Sequence, residues 1–183
     1  MIFVFIFFLL IVLPLVFLMV TYNGLQRKKI RVDAAWGQIA THLQQRGDLI
    51  PNLVETVKGY IGHEKETLVE VTRWRNQSIG STSRDEVLKA DTQLSRSLIQ
   101  LSHIVEQYPQ LKADAQFNQL QHQLQQMEAE LQGARSNYNS AVERFNASIV
   151  IFPNNLLAGY FNLEEKAFFV EEEQHRSAPK VKF

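Results

Sequence analysis

The chain has 183 residues, 19 basic against 19 acidic, and a formal net charge of +0, so one domain is the working count and no net field draws it onto nucleic acid. It contains no cysteine, which excludes disulfides, thiolate nucleophiles and cysteine zinc sites and leaves the redox compartment open. The apolar fraction of 45 % is ordinary in size but concentrated at the start.

Every residue from Ile2 to Val20 is apolar. As a helix this run is about 28 Å long, enough for the roughly 30 Å hydrocarbon core of a bilayer. A cleavable signal peptide would carry a basic leader and small residues at its end, whereas Val20-Thr21-Tyr22-Asn23 has no such pattern. The run therefore reads as a retained anchor over residues 1–22, with Pro14 tolerated inside it. Arg27, Lys28, Lys29 and Arg31 follow at once. By the positive-inside rule they place the amino terminus outside and the remainder in the cytoplasm, and they are the candidate contacts for anionic headgroups. The plainer alternative is that they act only as a topology signal.

Residues 23–153 show apolar spacing of 3 and 4, which predicts helix throughout. A first helix, running from about Leu25, buries Val32, Ala35 or Trp36, Ile39 and Leu43. Asp48 as N-cap and Pro51 in a first turn predict a turn or sharp kink over Arg46 to Pro51. A second helix carries Leu53 or Val54, Val57, Tyr60 or Ile61, Leu68, Val71 and Trp74, and Ser78 to Arg84 reads as a loop. A third has Val87, Ala90, Leu94, Leu101, Ile104 and Tyr108, with Ser97 the polar member and Leu98 beside it, and stops at Pro109. The fourth is the most periodic: Phe117, Leu120, Leu124, Met127, Leu131, Ala134, Tyr138, Ala141 and Phe145 alternate steps of 3 and 4, and Pro153 ends it.

Each helix is polar outside with one apolar stripe, so each buries that stripe on the others or on another chain. The expected fold is all-α: one transmembrane helix followed by an antiparallel up-and-down four-helix bundle, with an extended dimeric coiled coil as the rival. Residues 154–183 form an aromatic and acidic tail, with Leu156, Leu157, Tyr160, Phe161, Phe168 and Phe169, expected to dock on the bundle rather than on lipid or a partner. Its last residues, Ala178 to Phe183, read as flexible.

Candidate chemistry is sparse. His63-Glu64-Lys65-Glu66-Thr67 resembles the start of a zinc-peptidase helix, but Thr67 stands where the second histidine is needed. Di-metal bundles use Glu-x-x-His pairs on two helices, and the single such pair here is Glu172 with His175. His42, His103 and His122 stand alone. Neither a nucleophile elbow nor a nucleotide-binding glycine motif occurs, and the runs Glu64 with Glu66 and Glu171 to Glu173 read as solvated faces. No cofactor, metal or small-molecule substrate is predicted, and the chain is expected not to be an enzyme.

Several segments together carry a resemblance: Tyr22 to Leu25 (YNGL), Arg31 to Trp36 (RVDAAW), Arg46 to Tyr60 (RGDLIPNLVETVKGY), His63-Glu64, and Glu106 to Ala113 (EQYPQLKA). It continues through Tyr138-Asn139, Phe145-Asn146, Phe152 to Asn155 (FPNN) and Ala178 to Phe183 (APKVKF). The sequence resembles the LemA family of bacterial membrane proteins over nearly its whole length. The resemblance implies an N-terminal anchor, a short outside terminus and a helical-bundle domain at the cell membrane, and supplies no active site. Gly47 and Trp74 depart from the bulkier and smaller residues expected at those positions. The leading expectation is a non-enzymatic scaffold or adaptor that recruits a protein partner or copies of itself. Lipid binding or membrane remodelling by the basic stretch and tail aromatics is the alternative, followed by an accessory role to a membrane peptidase or transporter.

Overall fold

The computed structural model describes residues 1–61 and 65–169. These form helices and no strand: α1 (Ile2–Lys58), α2 (Lys65–Gly80), α3 (Arg84–Val105), α4 (Pro109–Lys112), α5 (Ala115–Val150) and α6 (Asn154–Tyr160). From Phe7 to Val20 every side chain but that of Val12 is exposed, so most of the apolar surface of this part of α1 is left uncovered by the described residues. By length and composition α1 can cross a membrane.

The turn or kink expected at Arg46 to Pro51 is corrected: those residues lie within α1, which continues to Lys58. Pro51 has no N–H to offer the Gly47 carbonyl one turn earlier. Nε of Arg75, from α2, donates to that carbonyl at 2.9 Å, so the orphaned acceptor is satisfied from outside its own helix. Position 47 lets α2 come this close, because a Cβ there would lie 3.0 Å from Cγ2 of Ile79. The chain breaks instead just beyond Lys58, where the amides of Tyr60 and Ile61 both donate to the Val57 carbonyl at 3.0 and 3.1 Å. The expected loop at Ser78 to Arg84 also shrinks, since α2 runs to Gly80 and Ser78 donates within it to the Arg75 carbonyl at 2.9 Å. The third helix ends at Val105, short of Pro109, which opens the four-residue α4 instead.

Two apolar cores result. The first joins Val32, Ile39 and Leu43 of α1 to Leu131, Tyr138, Val142 and Phe145 of α5, with Ala158 and Phe169 added from beyond. The second joins Ile50, Leu53 and Val57 of α1 to Leu68 and Val71 of α2, Leu94 and Leu101 of α3, and Phe117 and Leu120 of α5. Along the α1–α5 contact the residue numbers run in opposite senses: His42 lies 3.4 Å from Glu130, Arg46 lies 3.0 Å from Glu128, and the Tyr60 hydroxyl bonds Asp114.

Asp114 starts α5 as its N-cap, accepting from the Phe117 amide at 2.8 Å and from the Tyr60 hydroxyl at 2.9 Å. The Phe117 amide first, and the Tyr60 hydroxyl second, hold its carboxyl below the usual carboxylate value. A group lowered on folding adds stability above its unfolded value and loses it as pH falls through the folded one. Thermal melts taken from about pH 5 downward should therefore show a falling Tm, with a shallower fall in Asp114→Asn, which keeps a capping oxygen but does not titrate.

Candidate interaction groove

Between the two cores lies a polar layer contributed by three helices. On α1, Arg46 stands between Leu43 and Ile50; on α3, Asp91 stands between Val87 and Leu94. Both are almost completely enclosed, at 4 % and 1 % exposure. Nη1 of Arg46 donates to Oδ1 of Asp91 at 2.8 Å, and its Nη2 donates to the Ser95 hydroxyl at 3.0 Å. From α5, Nη2 of Arg135 donates to the other Asp91 oxygen, and Glu128 faces both guanidinium groups at 3.0 and 3.3 Å. Burial pushes the Asp91 carboxyl up, while Arg46 and Arg135 pull against that shift. Among the described residues, two arginines face two carboxylates, which balances the charge of this layer. Its directional bonds are met only when α1, α3 and α5 share one register, a use to which buried polar groups are well suited.

Above this layer, α3 and α5 stand apart and leave a groove of about 1240 Å³. Ser95 and Ile99 form one wall, Gln125, Gln132 and Ser140 the other, and Arg46 lies at the floor. Phe168 and Phe169 border it from the tail. The ring of Phe169, 7 % exposed, sits beneath the Arg135 guanidinium at 4.6 Å from its centroid, a cation–π contact that ties the tail to the polar layer.

The tail reaches that point as a strap along α5. Asn146 donates to the Lys166 carbonyl at 2.9 Å and accepts from the Lys166 amide at 2.9 Å. One heptad back, Asn139 does the same to Phe169, at 3.0 and 2.8 Å, and the Tyr138 hydroxyl donates to the Ala167 carbonyl at 3.1 Å. Each carboxamide thus pairs with the backbone N–H and C=O of one residue, donor and acceptor together, without regard to the side chain it carries. The geometry repeats because seven helical residues rise about 10.5 Å, while three extended residues span about 10 Å. The spacing continues down α5: Asn118, Gln125, Gln132, Asn139 and Asn146 each follow an apolar stripe residue, namely Phe117, Leu124, Leu131, Tyr138 and Phe145. Asn118 is engaged with the Lys112 carbonyl at 3.1 Å, whereas Gln125 and Gln132 line the groove and are exposed. The tail thus docks through Leu157, Lys166, Ala167 and Phe169, whereas Leu156, Tyr160, Phe161 and Phe168, expected to dock with them, stay exposed; Val170 to Phe183, with the Glu171 to Glu173 run, the Glu172–His175 pair and the end expected to be flexible, lie outside the described residues.

The cationic residues singled out from the sequence sit elsewhere. Arg27 and Arg31 are exposed on α1, Lys28 and Lys29 partly so, on the turns directly beyond the apolar run. His42 faces Glu130, and His103 and His122 are exposed on different helices. His63 and Glu64 lie outside the described residues, and no metal-binding grouping of three or more His, Asp or Glu occurs among those described. Sequence reasoning passed over Asp91, put Arg46 in a turn, and named Asn139 and Asn146 only within the resemblance, with no role. The five carboxamides at heptad spacing were the available signal.

Compared with known proteins, residues 35–183 match the model of the LemA family. No curated protein matches the chain.

Proposed function

Because the chain belongs to the LemA family, we propose that it is a membrane-anchored, non-enzymatic scaffold or adaptor of the bacterial inner membrane, and that its α3–α5 groove takes an extended segment of a partner protein. The observation that carries this reading is the row of carboxamides on α5. Two rungs already hold extended backbone, and Gln132 and Gln125 repeat the same spacing in the open part of the groove. Main-chain recognition of this kind gives affinity from the backbone and leaves specificity to flanking pockets.

In the proposed arrangement α1, α2, α3 and α5 form an antiparallel up-and-down bundle, supported by the opposed numbering of α1 and α5 and by the short connection from α2 to α3. Residues 1–22 anchor it, residues 23–153 make up the bundle, and residues 154–183 form the tail. Arg27, Lys28, Lys29 and Arg31 keep the helical domain on the cytoplasmic side and the short amino terminus outside. The role is recruitment rather than turnover, of a different protein or of a second copy. A photo-crosslinking residue at Gln132 or Gln125, in cells, should give an adduct heavier than the chain, with a mass that separates the two. Cross-links confined within one chain at both positions would refute the reading.

A further inference from the structure

The α6 region returns to α1 at the end of its apolar stretch. The ring of Tyr22 lies 4.5 Å from that of Phe161, and Leu18, Met19 and Tyr22 line a shared hollow with Leu156, Leu157, Tyr160 and Phe161. On α6 and the turn that precedes it, large apolar side chains remain uncovered: Ile151 is 59 % exposed, Phe152 74 %, Leu156 66 % and Tyr160 80 %. So many exposed large apolar side chains in one short segment mark an interaction site rather than ordinary surface.

Its position says what covers it. Leu18 to Tyr22 lie about 24–30 Å along the helix from Ile2, level with the edge of a roughly 30 Å hydrocarbon slab. Aromatic side chains at that depth occupy the boundary between acyl chains and headgroups, where an apolar body and a polar tip are both satisfied. Arg27 to Arg31 come about 8–14 Å further along α1, at the level of the headgroup charges. The exposed segment adjoins the apolar stretch of α1 at the shared hollow, so the same bilayer reaches both.

We propose that α6 and its flanks form a second membrane contact, a foot set into the interfacial zone of the leaflet from which α1 emerges. The occupant is the boundary between lipid chains and headgroups. With the foot set beside the rod, the membrane contact is broadened to one side of α1, which holds the domain at a defined tilt instead of letting it pivot on a single helix. This inference rests on α1 crossing the membrane, and the test separates the two.

Because the chain has no cysteine, a single introduced one reports a single place. Spin labels at Phe152→Cys and Tyr160→Cys are compared with Phe8→Cys in the span and Gln110→Cys at the start of α4, in full-length protein reconstituted into liposomes with an anionic lipid fraction. Collision with oxygen, which concentrates in lipid, is measured against collision with a water-soluble nickel chelate. Positions 152 and 160 should favour oxygen several-fold more than position 110 and approach position 8. If they match position 110 while position 8 reports lipid, the foot is overturned and the span stands; if position 8 also matches position 110, both fall. Protection from both collision partners would mark a protein cover and likewise overturn the foot. All four positions are exposed, and circular dichroism verifies the helix content of each variant.

Discussion

Asp91→Ala lowers the stability of the helical domain by about 3 kcal/mol, which for a chain of this size is a drop in Tm of roughly 6–12 °C. Breaking a buried ion pair from one side costs about 3–5 kcal/mol because the remaining charge is stranded away from water. The lower figure applies because Glu128 still faces both Arg46 and Arg135 after the carboxylate is gone. Urea titration in mild detergent, followed by helical circular dichroism, measures it. Replacing the pair together, Arg46→Met with Asp91→Leu, should recover most of the loss, since no unpaired Arg46 charge remains and the flanking cores are apolar. A single variant as stable as the parent would show that the polar layer does not lock α1, α3 and α5.

Asn139→Ala releases the end of the strap nearest the groove. It removes two hydrogen bonds to Phe169, together about 2 kcal/mol net, so the local opening that exposes the Phe169 amide becomes roughly thirtyfold more populated. Hydrogen exchange at Phe169 should accelerate by that factor, while Val142, buried in the first core, keeps its rate. Asn146→Ala should act in the same way on Lys166. Equal acceleration at Val142 and Phe169 would mean that the substitution unfolds the domain instead of freeing the strap.

The apolar stripes were legible at most positions, with Trp74, Ile104, Tyr108, Leu124, Met127 and Ala141 only half-buried at their edges. Val32, Ile39, Leu43, Leu94, Leu101, Phe117, Leu131, Tyr138 and Phe145 are all buried, because helical periodicity and the cost of exposing large apolar side chains point the same way. Pro51 misled for a local reason. Its missing donor breaks a helix only where the freed carbonyl has no other partner, and Arg75, 28 residues from Gly47, supplies one. Arg46 was placed in the expected turn, and Asp91 was passed over because a charged residue between apolar neighbours ordinarily marks a solvated face. Their burial depends on each other, 45 residues apart, and on Arg135 from a third helix.

The sequence by itself determined the apolar rod, the helical class and the faces each helix buries, since all of these follow from composition and from contacts a few residues apart. Tertiary structure alone decided that α1 continues unbroken past Pro51, that an ionic layer divides the core, and that the asparagines of α5 grip the returning tail. Those features depend on groups brought together from distant parts of the chain, where a hydrogen bond or ion pair forms only once packing has excluded water and fixed both partners.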